Sequence, residues 1–460
     1  MYFFVCMAII FALGVVNFTI SSRLSTIDGL DLLDFDTSDG VESFEFEVIS
    51  GKPQNEVPAS SKEERRVVNA PHSTQNIDVS AVRPNVTGEM RGLWISFIEM
   101  GWGDLTPEQT RQRIREQYDV AAEMGFNAVI VHVRPFADAF YPSNYFPSSR
   151  FVAGRQGTDP GFDVLEYMVA AAHKRGLEFH AWINPYRIST SSSDPLELYT
   201  NHPARIWSTN QNPANADWVR PHGNGLFFNP AIPEVRQLII NGVREIVQNY
   251  DVDGIHFDDY FYPTTALTFD QSAYDRYIWN GGARNRSDWR REQVNILIRD
   301  TFSAINEIDP SVRFGISPIA MVERGRNELF GDAAYWMSRS GYVDYIAPQI
   351  YWGFEHPLQS ARFDVSLDEW LNMPLDPSVS LYIGLANYKV GVVDAGSDEW
   401  VRNDDLISRQ VELSRKQDNY AGFMMFSYRA VIGDSPHQIA ERNNFLPLLQ
   451  DDFVPMVRRR

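Results

Sequence analysis

The sequence predicts a (β/α)8 barrel on three observations. Eight short runs rich in apolar and β-branched residues recur between residues 90 and 428. Stretches of helical periodicity separate them. The connections that follow several strands are long and aromatic, whereas those leading back, such as Gly125-Phe126 and Arg175-Gly176, are tight turns. Strands and helices alternating to that count close a parallel sheet on itself, with the working rim at the carboxyl ends of the strands.

Taken in order, strands are expected at MRGLWIS (90–96), NAVIVHVRP (127–135), LEFHAWINP (177–185) and VDGIHFDDY (252–260). The second four are VRFGISP (312–318), VDYIAPQIYW (343–352), SLYIGLAN (380–387) and AGFMMFSY (421–428). The first helix opens on Thr106, a capping residue, with Pro107 at the first helical position, and stops at Gly125. Apolar periodicity predicts further helices over 163–175, 233–249, 288–307 and 403–416. The loops after Pro135, Pro185 and Tyr260 run tens of residues and carry clustered rings, among them Tyr145, Trp207, Trp218 and Trp279. Long loops of this kind are usually functional. Flat aromatic faces suit a hydroxyl-rich ligand such as a sugar, although the same rings also serve simply to pack the loops.

Composition sets the outer limits. The 460 residues carry 41 basic and 60 acidic side chains, a formal charge of −19, with 44% hydrophobic and 22% charged residues. Those are ordinary globular values. The acidity argues against a nucleic-acid partner, which needs a basic surface. The single cysteine, Cys6, excludes an internal disulfide framework and a Cys-based zinc cluster, and reads as an inert thiol. It lies in an apolar run from Tyr2 to Ile20, so residues 1–22 are expected to be a signal peptide or membrane anchor. Residues 23–88, acidic at first and then polar and proline-bearing, are expected to form a disordered linker. The barrel is expected over 89–450, secreted or held at the membrane only through the N-terminal segment.

The chemistry concentrates in VDGIHFDDYFYP (252–263), where an apolar strand runs straight into Asp258 and Asp259. Strand alternation puts His256 and Asp258 on one face. Asp258 is therefore the candidate nucleophile or charge stabiliser, and Asp259 turns inward only where the strand bends into its loop. The same parity places Arg134, Asn184, Gln349 and Tyr351 in an upper polar ring. His132, His180 and His256 form a layer beneath it that orients the carboxylates. A metal held by those histidines is the less favoured alternative, and no cofactor is expected. No G-x-S-x-G elbow, phosphate loop or HExxH motif occurs. Paired carboxylates in an aromatic mouth point to glycoside hydrolysis.

EMRGLWIS (89–96), HVRPFADAFYPS (132–143), HAWINPYR (180–187), NPAIPEVR (229–236), DGIHFDDYFYP (253–263), FGISP (314–318) and VDYIAPQIYW (343–352) resemble the glycosyl-hydrolase-like 10 family. The resemblance implies a TIM-type barrel and an extracytoplasmic glycosidase. The family includes an outer-membrane lipoprotein that cleaves peptidoglycan glycan strands lacking stem peptides, but this chain shows no lipobox. Gly254 to Asp258 also looks like the fourth-strand motif of several barrel glycosidase clans, whose terminal Asp is the nucleophile. For the proton donor, Asp259 ranks first, Glu355 second and Asp138 third; Glu323 also follows the fifth strand. Arg134, Asp138, Asn184, Tyr186, Arg187, His256, Gln349, Tyr351 and Trp352 are expected to contact a polysaccharide substrate. Two other readings stay open: a non-catalytic glycan-binding barrel and a metal-dependent carbohydrate deacetylase.

Overall fold

The computed structural model describes residues 88–455. The expected segments 1–22 and 23–88 lie outside them, Gly88 excepted. The strands in chain order are β1 (Met90–Ile95), β2 (Ala128–Arg134), β3 (Glu178–Ile183), β4 (Arg187–Ser189), β5 (Val219–His222) and β6 (Gly225–Phe228). They continue as β7 (Gly254–Phe257), β8 (Arg313–Ile316), β9 (Tyr345–Ile346), β10 (Ser380–Leu385) and β11 (Tyr420–Met425). Eight of them close a parallel barrel in the order β1-β11-β10-β9-β8-β7-β3-β2. All eight lie within, or one residue from, the apolar runs.

The main helices are α1 (Pro107–Met124), α2 (Val164–His173), α3 (Pro233–Asn249), α4 (Arg286–Ile308), α5 (Phe363–Leu371), α6 (Leu406–Arg415) and α7 (Pro436–Gln450). In α1 Thr106 and Gln109 form a reciprocal capping box, and Gly125 ends the helix at φ 100°. Only glycine takes that conformation without strain. Among the described residues no helix is long and apolar enough to cross a membrane.

Side chains on the outward strand faces pack against the helices in one large apolar cluster. A smaller cluster, including Met90, Trp94, Ile130, Trp182, Tyr345, Tyr382 and Met424, fills the barrel itself. Two glycines make room for its polar layer. A Cβ on Gly254 would fall 2.4 Å from His180 Nδ1, and one on Gly315 would strike the Tyr345 ring. The Gly in each of the DGIHFDD and FGISP motifs is thus a packing requirement.

Three departures from the sequence reading bear on the site. β9 has two residues where ten were expected, because Pro348 has no N–H to donate; Gln349 re-enters the ladder through isolated bridges to Ile319 and Gly384. The stretch after Pro185, expected to be a long aromatic loop ahead of the 233–249 helix, holds an antiparallel sheet ordered β4-β6-β5. Its signal was the Gly223-Asn224-Gly225 turn, with Gly223 at φ 53°. Third, the pairing of β2 with β3 slips between His132 and Arg134, so that Arg134 lies opposite Ile183. That irregularity turns Arg134 out of the barrel, and the parity argument misplaced it.

Arg134 is 1% exposed, with its guanidinium 4.4 Å from the Phe146 ring centroid. A Cβ on Gly242 of α3 would come within 2.1 Å of its Nη1 and 2.6 Å of the Phe146 ring. Gly242→Val is therefore expected to lower stability by about 1–3 kcal/mol through overpacking, with KM unchanged. Urea denaturation beside steady-state kinetics checks this; unchanged stability with a raised KM would return Arg134 to the substrate.

Candidate active site

β7 ends at Phe257, whose side chain is buried in the outer cluster. The chain then bends, with Phe261 N donating to Asp259 O at 2.9 Å. The bend lets two consecutive carboxyls face the same mouth. Asp258 Oδ1 accepts the Asp259 backbone N–H at 2.9 Å. The two residues are 6% and 7% exposed.

Burial raises both above the usual aspartate range. The hydrogen bond from Asp259, the Asp259 N–H, the Arg187 charge and Gln349 partly offset this for Asp258. For Asp259 the negative charge of Asp258 adds to burial and holds its proton well above that range. The Asp259 N–H and Gln349 Nε2 both face Asp258 Oδ1, at 2.9 and 3.2 Å, and favour the charge there, which leaves Asp259 as the acid of the pair.

Half-buried side chains surround the pair. Gln349 Nε2 lies 3.2 Å from Asp258 Oδ1 and donates to Ser317 O at 2.8 Å. The Arg187 guanidinium stacks 3.7 Å from the Tyr260 ring centroid. Tyr351 stacks on Phe426 at 6.0 Å and meets Tyr388 at 5.8 Å. Burial, Tyr388 and the two aspartates raise the Tyr351 hydroxyl far above its usual value, so it stays protonated as a donor.

Beneath the pair lies a hydrogen-bonded layer. His256 Nε2 accepts from Trp94 Nε1 at 3.3 Å and lies 3.0 Å from Ser317 Oγ. An indole only donates, which assigns the His256 proton to Nδ1, 3.1 Å from the Tyr345 hydroxyl. Tyr345 continues the chain to His180 Nδ1 at 2.9 Å. Burial holds His256 and His132 neutral, far below the usual imidazole value. His132 instead stacks on Trp182, with centroids 3.4 Å apart. Among the described residues no group of three or more His, Cys, Asp or Glu side chains is placed to hold a metal. Trp182 Nε1 is buried without a protein partner, a donor that a polar ligand satisfies.

The structure therefore brings together Asp258, Asp259, Arg187, Gln349 and Tyr351, with Asn184 beside His132. It places other candidates elsewhere. Tyr186 is 0% exposed in the outer apolar cluster. His256, engaged on both nitrogens, supports the site from below rather than meeting substrate. Asp138 is buried in the β2 loop and bound by Gln156 Nε2 at 2.8 Å. Glu355 is exposed and pairs with Arg402 at 2.6 Å, and Glu323 accepts from Asn327 Nδ2 at 3.0 Å. Trp352 is half-buried, its ring 5.9 Å from His356. Most loop rings pack the loops: Trp207 and Trp218 meet edge to face at 4.8 Å, while Trp279 stands 91% exposed. The sequence reading missed Tyr260, next to the pair, and Tyr388 and Phe426, which pack on Tyr351.

Asp259 links the site to stability. Its folded pKa is raised above the unfolded value, so its favourable contribution is complete below the unfolded pKa of about 3.9 and is lost as pH rises through the folded value. Asp259→Asn escapes that loss. The variant's melting temperature is expected to gain on the wild type from acid to neutral pH, with the difference vanishing below about pH 4. A pH-independent difference would remove the buried-proton assignment.

The closed parallel barrel, with adjacent carboxyls at its carboxyl-end mouth, has the architecture of a TIM-barrel protein of the glycoside hydrolase type. The chain belongs to the glycosyl hydrolase-like 10 family, whose sequence model matches residues 89–402. It is 38% identical to glycosyl hydrolase YngK of Bacillus subtilis (strain 168) over 363 residues, 74% of this chain and 68% of that protein. It is 33% identical to glycosyl hydrolase DigH of Escherichia coli (strain K12) over 381 residues, 73% of this chain and 82% of that protein. The catalytic domain of β-amylase from Paenibacillus polymyxa matches in fold, with a TM-score of 0.50 at 10% identity, over 79% of this chain and 100% of that one.

Proposed function

We propose that this protein is an exported glycoside hydrolase that cleaves a polysaccharide of the cell envelope, with peptidoglycan glycan strands as the leading substrate. The observation that carries the proposal is the buried Asp258–Asp259 pair at the rim of the barrel, with Asp258 Oδ1 held by the Asp259 N–H and by Gln349. Asp259 donates its proton to the glycosidic oxygen. Asp258 opposes the positive charge that grows at the anomeric carbon as the bond breaks. Arg187, Gln349, Tyr351 and Asn184 bind sugar hydroxyls and hold the scissile bond over the pair. Family membership and relatives named as glycosyl hydrolases support the reaction class. The apolar run Tyr2 to Ile20 supports export.

Mass spectrometry of digests of glycan strands stripped of stem peptides tests the proposal. Shortened oligosaccharides, each gaining one water, are expected. Tight binding without any new ends would favour a glycan-binding barrel instead.

A further inference from the structure

The Asp258–Asp259 pair is badly placed to flank a glycosidic bond. Two-carboxylate glycosidases hold their carboxyls about 5–5.5 Å apart to retain configuration, or about 6.5–9.5 Å apart to invert it. Asp258 and Asp259 are consecutive residues, and Asp258 Oδ1 accepts the backbone N–H of Asp259 itself at 2.9 Å, which leaves no room for a sugar between them. Both also leave the same strand end, and so approach a sugar from one side.

The other carboxylates weighed for the role, or placed beside these loops, have structural tasks. Glu99 accepts from Ser96 N and Arg429 N, each at 2.8 Å, and from Ser427 Oγ. Asp270 is locked by Arg286 and Arg290, each at 2.7 Å. Glu399 accepts from Phe354 N at 2.9 Å and Glu355 N at 2.8 Å. Asp138, Glu323 and Glu355 are engaged as described above. The site has an acid and a charged neighbour, but no opposed protein nucleophile among these groups.

From this placement, and resting on the glycosidase reading above, we infer that the substrate supplies its own nucleophile: the sugar to be cleaved carries a 2-acetamido group whose carbonyl oxygen attacks the anomeric carbon. Asp258 accepts the acetamido N–H and orients the carbonyl. A bond forms between the acetamido oxygen and C1 while the C1–O bond to the leaving sugar breaks, and Asp259 gives that oxygen its proton. The resulting oxazolinium ion keeps its N–H against the Asp258 carboxylate. Water then attacks C1 and gives a proton to Asp259, and the C1–acetamido bond opens. The sum is hydrolysis with retained configuration, and Asp259 ends protonated as it began.

The test uses the full chain and two glycan preparations stripped of stem peptides: N-acetylated strands, and strands N-deacetylated and then N-trifluoroacetylated. The fluorinated carbonyl is a poorer nucleophile, so kcat is expected to fall on the order of 100-fold, and proton NMR of fresh product ends should show retention. Inversion, equal rates on the two preparations, or a covalent glycosyl adduct recovered on Asp258 would each overturn the inference while leaving the glycosidase reading standing. No hydrolysis of either preparation would remove both.

Discussion

Asp258→Asn abolishes hydrolysis, with kcat expected to fall at least about 1,000-fold, while the protein stays folded and still binds glycan. The side chain keeps its shape, and its amide still accepts the Asp259 N–H through oxygen, so backbone geometry at the end of β7 is conserved. What disappears is the negative charge. A neutral amide offers nothing to the cation developing at the anomeric carbon, in a site where burial makes charge–charge interactions strong. Asp259 also loses the neighbour that, after burial, most raises its own pKa. The variant therefore combines lost charge stabilisation with a less suitable acid. Release of reducing ends, measured beside glycan binding by calorimetry, checks this. Turnover within about tenfold of wild type would remove Asp258 from the chemistry.

Asp259→Asn gives a different pattern. Donation of a proton to the leaving oxygen contributes about 100- to 10,000-fold, so glycan strands, whose leaving group is a sugar alkoxide, are expected to lose that much. A substrate with an acidic phenol leaves without help, and the loss on it should shrink to about tenfold or less. The relevant comparison is kcat/KM on strands against kcat/KM on nitrophenyl oligosaccharides of the same sugar. An equal loss on both would show that Asp259 acts by holding Asp258 in place and not by giving up its proton.

The barrel was legible because each of its strands is shielded on both faces, so that the runs are predominantly apolar and bounded by turns or proline. α1 was legible from its two caps. The site was less so, because parity along a strand only holds while the strand is regular. The slip after His132 sent Arg134 toward α3, and Pro348 cut β9 short. Asp258 and Asp259 meet only because the chain turns directly after Phe257, a bend that alternation leaves undetermined. Tyr260, Tyr388 and Phe426 lie past the last ladder pairs of their strands, where no periodicity assigns a direction. Their gathering around the mouth is a consequence of loop closure. The hairpin around Gly223 did leave a local trace, in glycines spaced for a tight turn.

Within the Asp258–Asp259 pair one carboxyl holds its proton while the other is charged. Carbon-13 NMR of aspartate-labelled protein, titrated from pH 3 to 9 and assigned with Asp258→Asn and Asp259→Asn, measures it directly. Two coupled steps are expected, the second displaced well above the aspartate range of about 3.9 and absent from Asp259→Asn. Two independent titrations near the ordinary value would contradict it.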